Sequence, residues 1–471
     1  MAAALMVQGT SSWAGKSLIA TALCRHFARL GVRVAPFKAQ NMSNNARVVA
    51  GGEIGVAQYL QARAAGVEPD TRMNPVLVKP EDETQSQVVL QGRASAEISA
   101  LPWRERAPRL WPAIAQSLDS LLAEYDLIVL EGAGSPAEIN LSDCDLTNSR
   151  AAAAADAAVL LVCDIDRGGA FAHLYGTWGL LGPAERERIA GFVLNKFRGD
   201  PALLPPAPER LTELTGIDCL GVVPWIEHGL PDEDGAAPPA AAADDAPVVA
   251  VIRYPFASNL DEFKAMEQVA SVRWAHRPVD LDGAALVVLP GSKHVADDLA
   301  WLRSTGLDRA VLSRARDGEP TIGICGGLQM LGEELRDEAG VDGDARGLGL
   351  LPLRTVFRAE KVARPVELRF AGDLEEPWAR LAGIEVGAGY EIRHGRSEPL
   401  APLREAMPGG LGWAGGPLLA LSAHGALESP QVLAALFGSP PARSLEEALD
   451  EMTDAVMGAL DAAAIESLLV R

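Results

Sequence analysis

Two hydrophobic rhythms alternate along the first half of the chain. Short β-branched runs at 5–8, 32–35, 75–78, 127–130, 158–162, 191–194 and 220–223 are separated by amphipathic stretches such as 16–30, 53–65 and 110–124. Runs that are apolar throughout predict strands covered on both faces, and the amphipathic stretches predict crossover helices. Together they predict a parallel α/β sheet. The rhythm stops at 235–246, a Pro- and Ala-rich stretch without apolar period that reads as a linker. It resumes at 248–252, 286–289 and 321–324, each run feeding a turn and a helix-like segment, with further strands expected at 366–370 and 418–422. The expected organisation is a domain at 1–234, the linker, and a second α/β domain at 247–471.

Composition narrows the class. The chain has 471 residues, 48% apolar and 22% charged, which is enough to bury two cores and excludes a disordered chain. Lys and Arg number 42 against 63 Asp and Glu, a net −21 that suits neither a phosphate backbone nor an anionic membrane. No nucleic-acid or membrane partner is expected. The densest apolar stretch, 151–163, is interrupted by Asp156 and falls short of the ~20 residues of a membrane helix. The first residues lack the basic region of a signal peptide. Cys24, Cys144, Cys163, Cys219 and Cys325 are scattered, with no C-x-x-C pair. That argues against a disulfide framework or a zinc cluster and for a reducing cytoplasm.

Gly9-Thr-Ser-Ser-Trp-Ala-Gly15-Lys16-Ser17 lies between an expected strand and an expected helix. Backbone N–H groups of such a loop turn toward phosphate oxygens, Lys16 adds a full positive charge, and Ser17 is placed to ligate Mg²⁺. Gly9, Thr10, Gly15, Lys16 and Ser17 are therefore ATP-site candidates. The spacing is one residue longer than the common phosphate loop and resembles that of dethiobiotin-synthetase-like ATPases. Ligands collect at the carboxyl ends of parallel strands, which brings further candidates to the same place. Glu131 follows the run 127–130 as a Mg²⁺-side acid. Lys38 either neutralises phosphate or is a surface lysine. Glu53 is a second Mg²⁺-side acid or a glutamate favoured by a helix dipole. Asn195 either reads the adenine edge or only ends a strand.

A second chemistry begins at Cys325. The run Thr321-Ile-Gly-Ile leads into Cys325-Gly326-Gly327, and small neighbours are what a nucleophile on a sharp strand-to-helix turn requires. Backbone N–H groups at Gly291 and Gly326 are oxyanion-hole candidates. The base is expected far along the chain: His424, after the apolar run 418–422, with His394 as competitor. His26 and His173 lie in helical stretches. A thiol–imidazole pair suits acyl transfer through a thioester.

Longer strings narrow the comparison further. They include Pro36-Phe-Lys-Ala-Gln-Asn-Met-Ser43, Asn74-Pro-Val-Leu-Val-Lys-Pro80, Leu130-Glu-Gly-Ala-Gly-Ser-Pro-Ala-Glu-Ile-Asn-Leu141, Asn195-Lys-Phe-Arg-Gly-Asp200 and Gly389-Tyr-Glu-Ile392. With the two loops they make the chain resemble, over nearly its whole length, the glutamine-dependent cobyric acid synthases of the cobyrinate amidase group. The resemblance implies a P-loop, dethiobiotin-synthetase-like amide ligase domain followed by a class I glutamine amidotransferase domain. It implies ATP and Mg²⁺, glutamine as nitrogen donor, and adenosylcobyrinic acid a,c-diamide as substrate. The b, d, e and g carboxylates of that substrate become amides in adenosylcobyric acid, on the way to cobalamin. Ammonia is mostly protonated in bulk water, so its release from glutamine inside the protein suggests a sheltered path between the domains.

The chain also departs from that pattern. His424 is followed by Gly425-Ala426 where a glutamate two residues on is usual, which leaves Glu428 as the nearest candidate for the third triad member. Arg393 precedes His394 in the tyrosine motif. Asp143 and Asp145 resemble an acidic loop beside the corrinoid carboxylates, with Cys144 incidental between them. Two rival readings stand beside the resemblance. One is the sister a,c-diamide synthase, and the other a partition-type P-loop ATPase whose second domain only binds.

Overall fold

Residues 2–81, 85–231 and 246–470 are described by the computed structural model, and they divide into two units. The expected linker at 235–246 lies, except for Ala246, outside the described residues.

The first unit comprises Met1–Ser43, Val49–Leu230 and Ser444–Arg471. Its six-stranded sheet runs in the order Cys219–Pro224, Ile189–Phe197, Ala158–Asp164, Ala3–Gly9, Leu127–Glu131, Val34–Phe37, and every pairing is parallel. Residues 127–130 and 159–162 are buried, as expected for strands with helices on both faces. The predicted run at 75–78 is a strand, Val76–Pro80, but in a different sheet. It pairs with Gln40–Met42 in parallel and with Ser86–Leu90 in antiparallel fashion. Asn74 holds that sheet near the end of the main one, its Nδ2 donating to the Lys38 carbonyl at 3.0 Å. Glu53, expected to open a helix, instead lies in the strand Gly52–Gly55, and the helix begins after it as Val56–Ala65.

The second domain expected at 247–471 is corrected at its C-terminal end, because Ser444–Arg471 packs into the first unit. Charge and apolar surface both explain this. The helix Leu445–Met457 presents Glu446, Asp450 and Asp454 to Arg25 and Arg29 of the helix Lys16–Arg29, with Arg25 Nε 2.7 Å from Asp450. Beneath these surface pairs, Leu449, Met452, Val456 and Ile465 join one core with Leu5, Val7, Ile19, Leu23 and Phe27. His26 takes part as well, with Nε2 2.9 Å from Glu466.

The second unit comprises Asn44–Val48 and Pro231–Arg443. Its seven-stranded sheet runs Ser271–Ala275, Val248–Ile252, Leu286–Leu289, Thr321–Ile324, Leu418–Leu421, Gly412–Gly415, Arg404–Met407. The first five strands are parallel and the last two antiparallel. The run expected at 366–370 belongs to a longer strand, Leu353–Arg369, in an antiparallel hairpin with Glu385–Pro399.

Burial of the helix Leu445–Met457 gives a direct test. Leu449→Ala removes a fully buried side chain from the first unit and is expected to cost about 2–5 kcal/mol. A lower urea midpoint for unfolding of that unit is the expected reading; an unchanged midpoint would put the helix outside its core.

Candidate active sites

In the first unit the chain leaves the central strand Ala3–Gly9, turns through 10–15, and enters the helix Lys16–Arg29. Gly15 caps that helix at φ +96°, a backbone state that strains side-chain-bearing residues, and a Cβ there would lie 1.9 Å from Asn195 Nδ2. Asn195 closes the strand Ile189–Phe197 and braces the loop, donating from Nδ2 to the Ala14 carbonyl at 2.9 Å. Its Oδ1 is buried with no hydrogen-bond partner among the described residues. Thr10 N–H donates to the Val162 carbonyl at 2.9 Å, and the loop closes tightly over Gly9, where a Cβ would stand 3.1 Å from Lys16 Cδ. Lys16 Nζ lies across the loop, 3.2 Å from the Ser11 carbonyl and 3.3 Å from that of Gly134.

These elements converge on Glu131, at the end of the adjacent strand Leu127–Glu131. Its Oε1 accepts from Ser17 Oγ and from Lys38 Nζ, both at 2.9 Å, while Oε2 accepts from Gln61 Nε2 at 2.5 Å. The predicted neighbours Ser17, Lys38 and Glu131 are thus brought together, and Lys38 is a buried ion-pair member rather than a surface lysine. Gln61 was not expected. It stands on the buried face of the helix Val56–Ala65 one turn after Gln58, and two glutamines at i and i+3 on that face were the available signal.

The other acids expected here have different company. Glu53 forms a buried ion pair with Lys79. Asp143 is exposed and pairs with Arg104. Asp145 accepts from the N–H groups of Thr147, Asn148 and Ser149 at 3.0, 2.9 and 2.7 Å, so its carboxylate caps the turn that starts the helix Ser149–Ala154. No cluster of three or more His, Cys, Asp or Glu side chains able to hold a metal occurs among the described residues. The Ser17 hydroxyl and Glu131 carboxylate are hard oxygen donors. With phosphate oxygens and water they fit Mg²⁺, which keeps much of its hydration in such sites.

In the second unit, Cys325 follows the strand Thr321–Ile324 at φ 51°, ψ −103°. Such a backbone costs on the order of 1–3 kcal/mol for a residue other than glycine, and the surroundings hold it there. Cys325 N–H donates to Leu421 O at 2.7 Å, and a Cβ on Gly327 would lie 1.9 Å from the Leu289 carbonyl. The turn has no room for larger neighbours. Gly326 abuts the backbone of Ser292, where a Cβ would come within 2.6 Å of its nitrogen, and a Cβ on Gly291 would be 3.2 Å from His424 Cε1. Gly326, next in sequence to Cys325, thus packs on the strand Gly291–Ser292, and Gly291 lies beside the His424 imidazole. Asp298 anchors the Gly291–Ser292 strand, accepting from Ser292 Oγ at 2.6 Å, and burial pushes its carboxyl up to about 7.

His424 is hydrogen-bonded to Cys325, and its Nδ1 lies 3.2 Å from Glu262 Oε1. The side chains of His424 and Glu262 are each 1% exposed. Burial opposes a charged ring, but the Glu262 carboxylate and the facing sulfur overcome it, and the imidazole is pushed up to about 10. The competitor His394 is half-buried, with Nδ1 3.0 Å from the Arg358 carbonyl. Glu428 is not the third member of the triad: it pairs with Arg47 at 2.5 Å, and Glu262 occupies the place beside the ring. Glu262 lies in the turn Leu260–Phe263, far from His424 in sequence, where no spacing rule points to it. Tyr390 stacks on the imidazole with centroids 5.2 Å apart and planes 16° from parallel. Beside it, Glu391 is buried; burial works against its charge, but Arg393 and Arg364 hold the carboxyl below its ordinary range. Cys163, by contrast, is packed in the first unit's core.

Comparison with known proteins agrees with this division. Residues 5–230 match the CobQ/CobB/MinD/ParA nucleotide binding domain family, and residues 248–431 match the CobB/CobQ-like glutamine amidotransferase domain family. A cobyric acid synthase of a Polaromonas species is 51% identical over 503 residues, covering 100% of this chain and 99% of its own length. That of Variovorax paradoxus is 54% identical over 476 residues, covering 99% of each chain. That of Methylibium petroleiphilum is 53% identical over 498 residues, covering 99% of this chain and 97% of its own. With about half its residues shared along the full length and both domain families in the same order, the chain belongs to the cobyric acid synthase family.

Proposed function

We propose that the protein spends ATP and glutamine to convert the b, d, e and g carboxylates of adenosylcobyrinic acid a,c-diamide into amides, giving adenosylcobyric acid for cobalamin. The observation that carries this reading is the pairing, in one chain, of a Cys325–His424–Glu262 array with a phosphate loop whose Ser17 faces Glu131. The sister a,c-diamide synthase is not favoured by the names of the full-length relatives. A partition-type ATPase has no use for a strained cysteine beside a buried, carboxylate-paired imidazole.

A carboxylate at neutral pH is a poor electrophile. In the first unit a substrate carboxylate oxygen attacks the γ-phosphorus of ATP; the bond to the bridging oxygen breaks, ADP leaves, and an acyl phosphate remains. Lys16 and the loop N–H groups hold the phosphates, and Ser17 and Glu131 would hold Mg²⁺, which when bound neutralises charge on the transferring group. Asn195 Oδ1, buried without a partner, is suited to accept from the exocyclic amino group of adenine. Ammonia then attacks the acyl carbon, and phosphate departs.

In the second unit the sulfur of Cys325 attacks the side-chain carbonyl of glutamine. The oxyanion turns toward the backbone of Gly291 and Gly326. The proton on His424 goes to the leaving nitrogen, ammonia departs, and a glutamyl thioester remains. The now neutral ring takes a proton from water as that water cleaves the thioester to glutamate. Glu262 fixes the ring and balances its charge throughout.

Mass spectrometry of the a,c-diamide incubated with ATP, Mg²⁺ and glutamine tests the activity, with successive amide additions up to the hexa-amide expected. Cys325→Ser should lose glutamine-driven product and keep ammonia-driven product, whereas Lys16→Ala should lose both. Glutamine use by the serine variant, or normal turnover by the alanine variant, would remove the corresponding assignment. Glu262→Gln should lower glutaminase kcat by about 10²–10⁴-fold, as when the acid of a triad is neutralised. With the carboxylate gone, burial governs the ring, so the alkaline fall of glutaminase should move to lower pH. The sign follows because the ring must carry its proton to the leaving nitrogen, and without Glu262 it loses that proton at lower pH. In the wild type the same raised imidazole also favours the folded state in full below the ordinary 6.5, a contribution that disappears as pH climbs through about 10. A variant with the wild-type pH profile would refute the pairing.

A further inference from the structure

Five residues of the second unit, Asn44–Val48, come from a part of the sequence whose flanks, through Ser43 and from Val49, belong to the first unit. They are bound into the second unit by named contacts. Asn259 Nδ2 donates to the Ala46 carbonyl at 3.1 Å, and Leu260 N–H donates to Asn45 Oδ1 at 3.2 Å. The Arg47 side chain is 8% exposed and forms ion pairs with Asp261 and Glu428. Its guanidinium carbon also lies 5.4 Å from the centroid of the Tyr390 ring.

Each group that Arg47 touches adjoins the thiol site. Asp261 precedes Glu262 in the turn Leu260–Phe263. Glu428 ends the turn Ala426–Glu428, which begins two residues after His424. Tyr390 stacks on the His424 ring, and its hydroxyl accepts from Asn259 Nδ2 at 2.8 Å. Three carboxylates therefore crowd this corner; His424 answers Glu262, and Arg47 answers the other two. A guanidinium is suited to this because its fixed fork of donors can join two acids at once.

We infer that Arg47 is a positioning residue for glutamine hydrolysis: it ties the turn carrying Glu262 to the turn after His424 and backs the Tyr390 ring, so that the imidazole stays aimed at Cys325. Without that tie, Asp261 and Glu428 repel each other and Glu262 and Tyr390 lose their common support. The contacts named for Arg47 are to the carboxylates of Asp261 and Glu428 and to the Tyr390 ring. Its effect therefore belongs to the chemical step and not to glutamine affinity. This inference rests on the glutaminase reading proposed above.

The test compares the full-length wild type with Arg47→Met and Arg47→Lys. Misplacing a reacting group by about 1 Å costs on the order of 10²-fold, so the methionine variant should lose roughly 10–100-fold in glutaminase kcat, with KM for glutamine nearly unchanged. The lysine variant, which keeps the charge but not the fork, should recover part of the loss. Ammonia-driven amidation and the thermal midpoint, measured on the same preparations, report whether the protein is intact. Wild-type kcat in folded Arg47→Met, or a loss confined to KM, would overturn the inference. If the methionine variant does not fold, the lysine variant decides: a several-fold fall in kcat at unchanged KM supports the role, and wild-type kcat refutes it. Absence of glutaminase activity in the wild type would instead sink the underlying reading.

Discussion

A carboxylate withdrawn from water must meet a cation or several N–H donors, because desolvation alone costs several kcal/mol. Both sites in this protein are organised around that requirement. Glu131 meets Lys38, Ser17 and Gln61; Glu53 meets Lys79; Asp261 meets Arg47; Glu262 meets His424; Glu391 meets Arg364 and Arg393. The partners at the two sites come from remote stretches of chain, 93 residues apart for Lys38 and Glu131 and 162 apart for Glu262 and His424, whereas Arg393 lies only two residues from Glu391. Because a wrong pairing would strand a buried charge, these contacts select one arrangement of elements as well as stabilising it.

The two units use the same topological device for different chemistry. In the first, the phosphate loop and Glu131 follow the neighbouring parallel strands Ala3–Gly9 and Leu127–Glu131. In the second, Cys325 and His424 follow the neighbouring parallel strands Thr321–Ile324 and Leu418–Leu421. Residues at the carboxyl ends of adjacent parallel strands lie close together however far apart they are in sequence. On the function proposed above, a loop of N–H groups and a lysine serves as a phosphate cradle at one such end, and a strained cysteine beside a buried ring as the nucleophile at the other.

Features carried by contiguous residues were legible in the sequence. The loop ending in Gly15-Lys16-Ser17 and the turn Cys325-Gly326-Gly327 announce themselves because their function depends on their own backbone. Strands 248–252, 286–289 and 321–324 have the expected bounds because uninterrupted apolar runs between turn residues leave little choice. Features that depend on meeting a distant residue were not legible. Glu428 is the acid nearest His424 in sequence, yet Glu262 is the one beside it in space, and Glu428 answers Arg47. Asp145 has the look of a substrate-facing acid, and its carboxylate also accepts from backbone donors of the turn before the helix Ser149–Ala154, a use that an Asp-x-x-Asn-Ser stretch serves just as well. The division into domains went astray for the same reason: no local signal in 444–471 says which core its apolar face will join.

That last segment has a bearing on how the protein is made. Translation proceeds from the N-terminus, and domains commonly fold as they emerge. Here the unit begun first cannot close its core until Leu449, Met452, Val456 and Ile465 have been synthesised, after the whole of the other unit. Strand residues Leu5, Val7, Leu127 and Val129 can already join the helix Lys16–Arg29, but the part of that core closed by 445–465 waits while the amidotransferase unit is synthesised. The unit whose sequence begins first is thus the last to complete its core, because its final helix is separated from the rest of it by the whole stretch Pro231–Arg443.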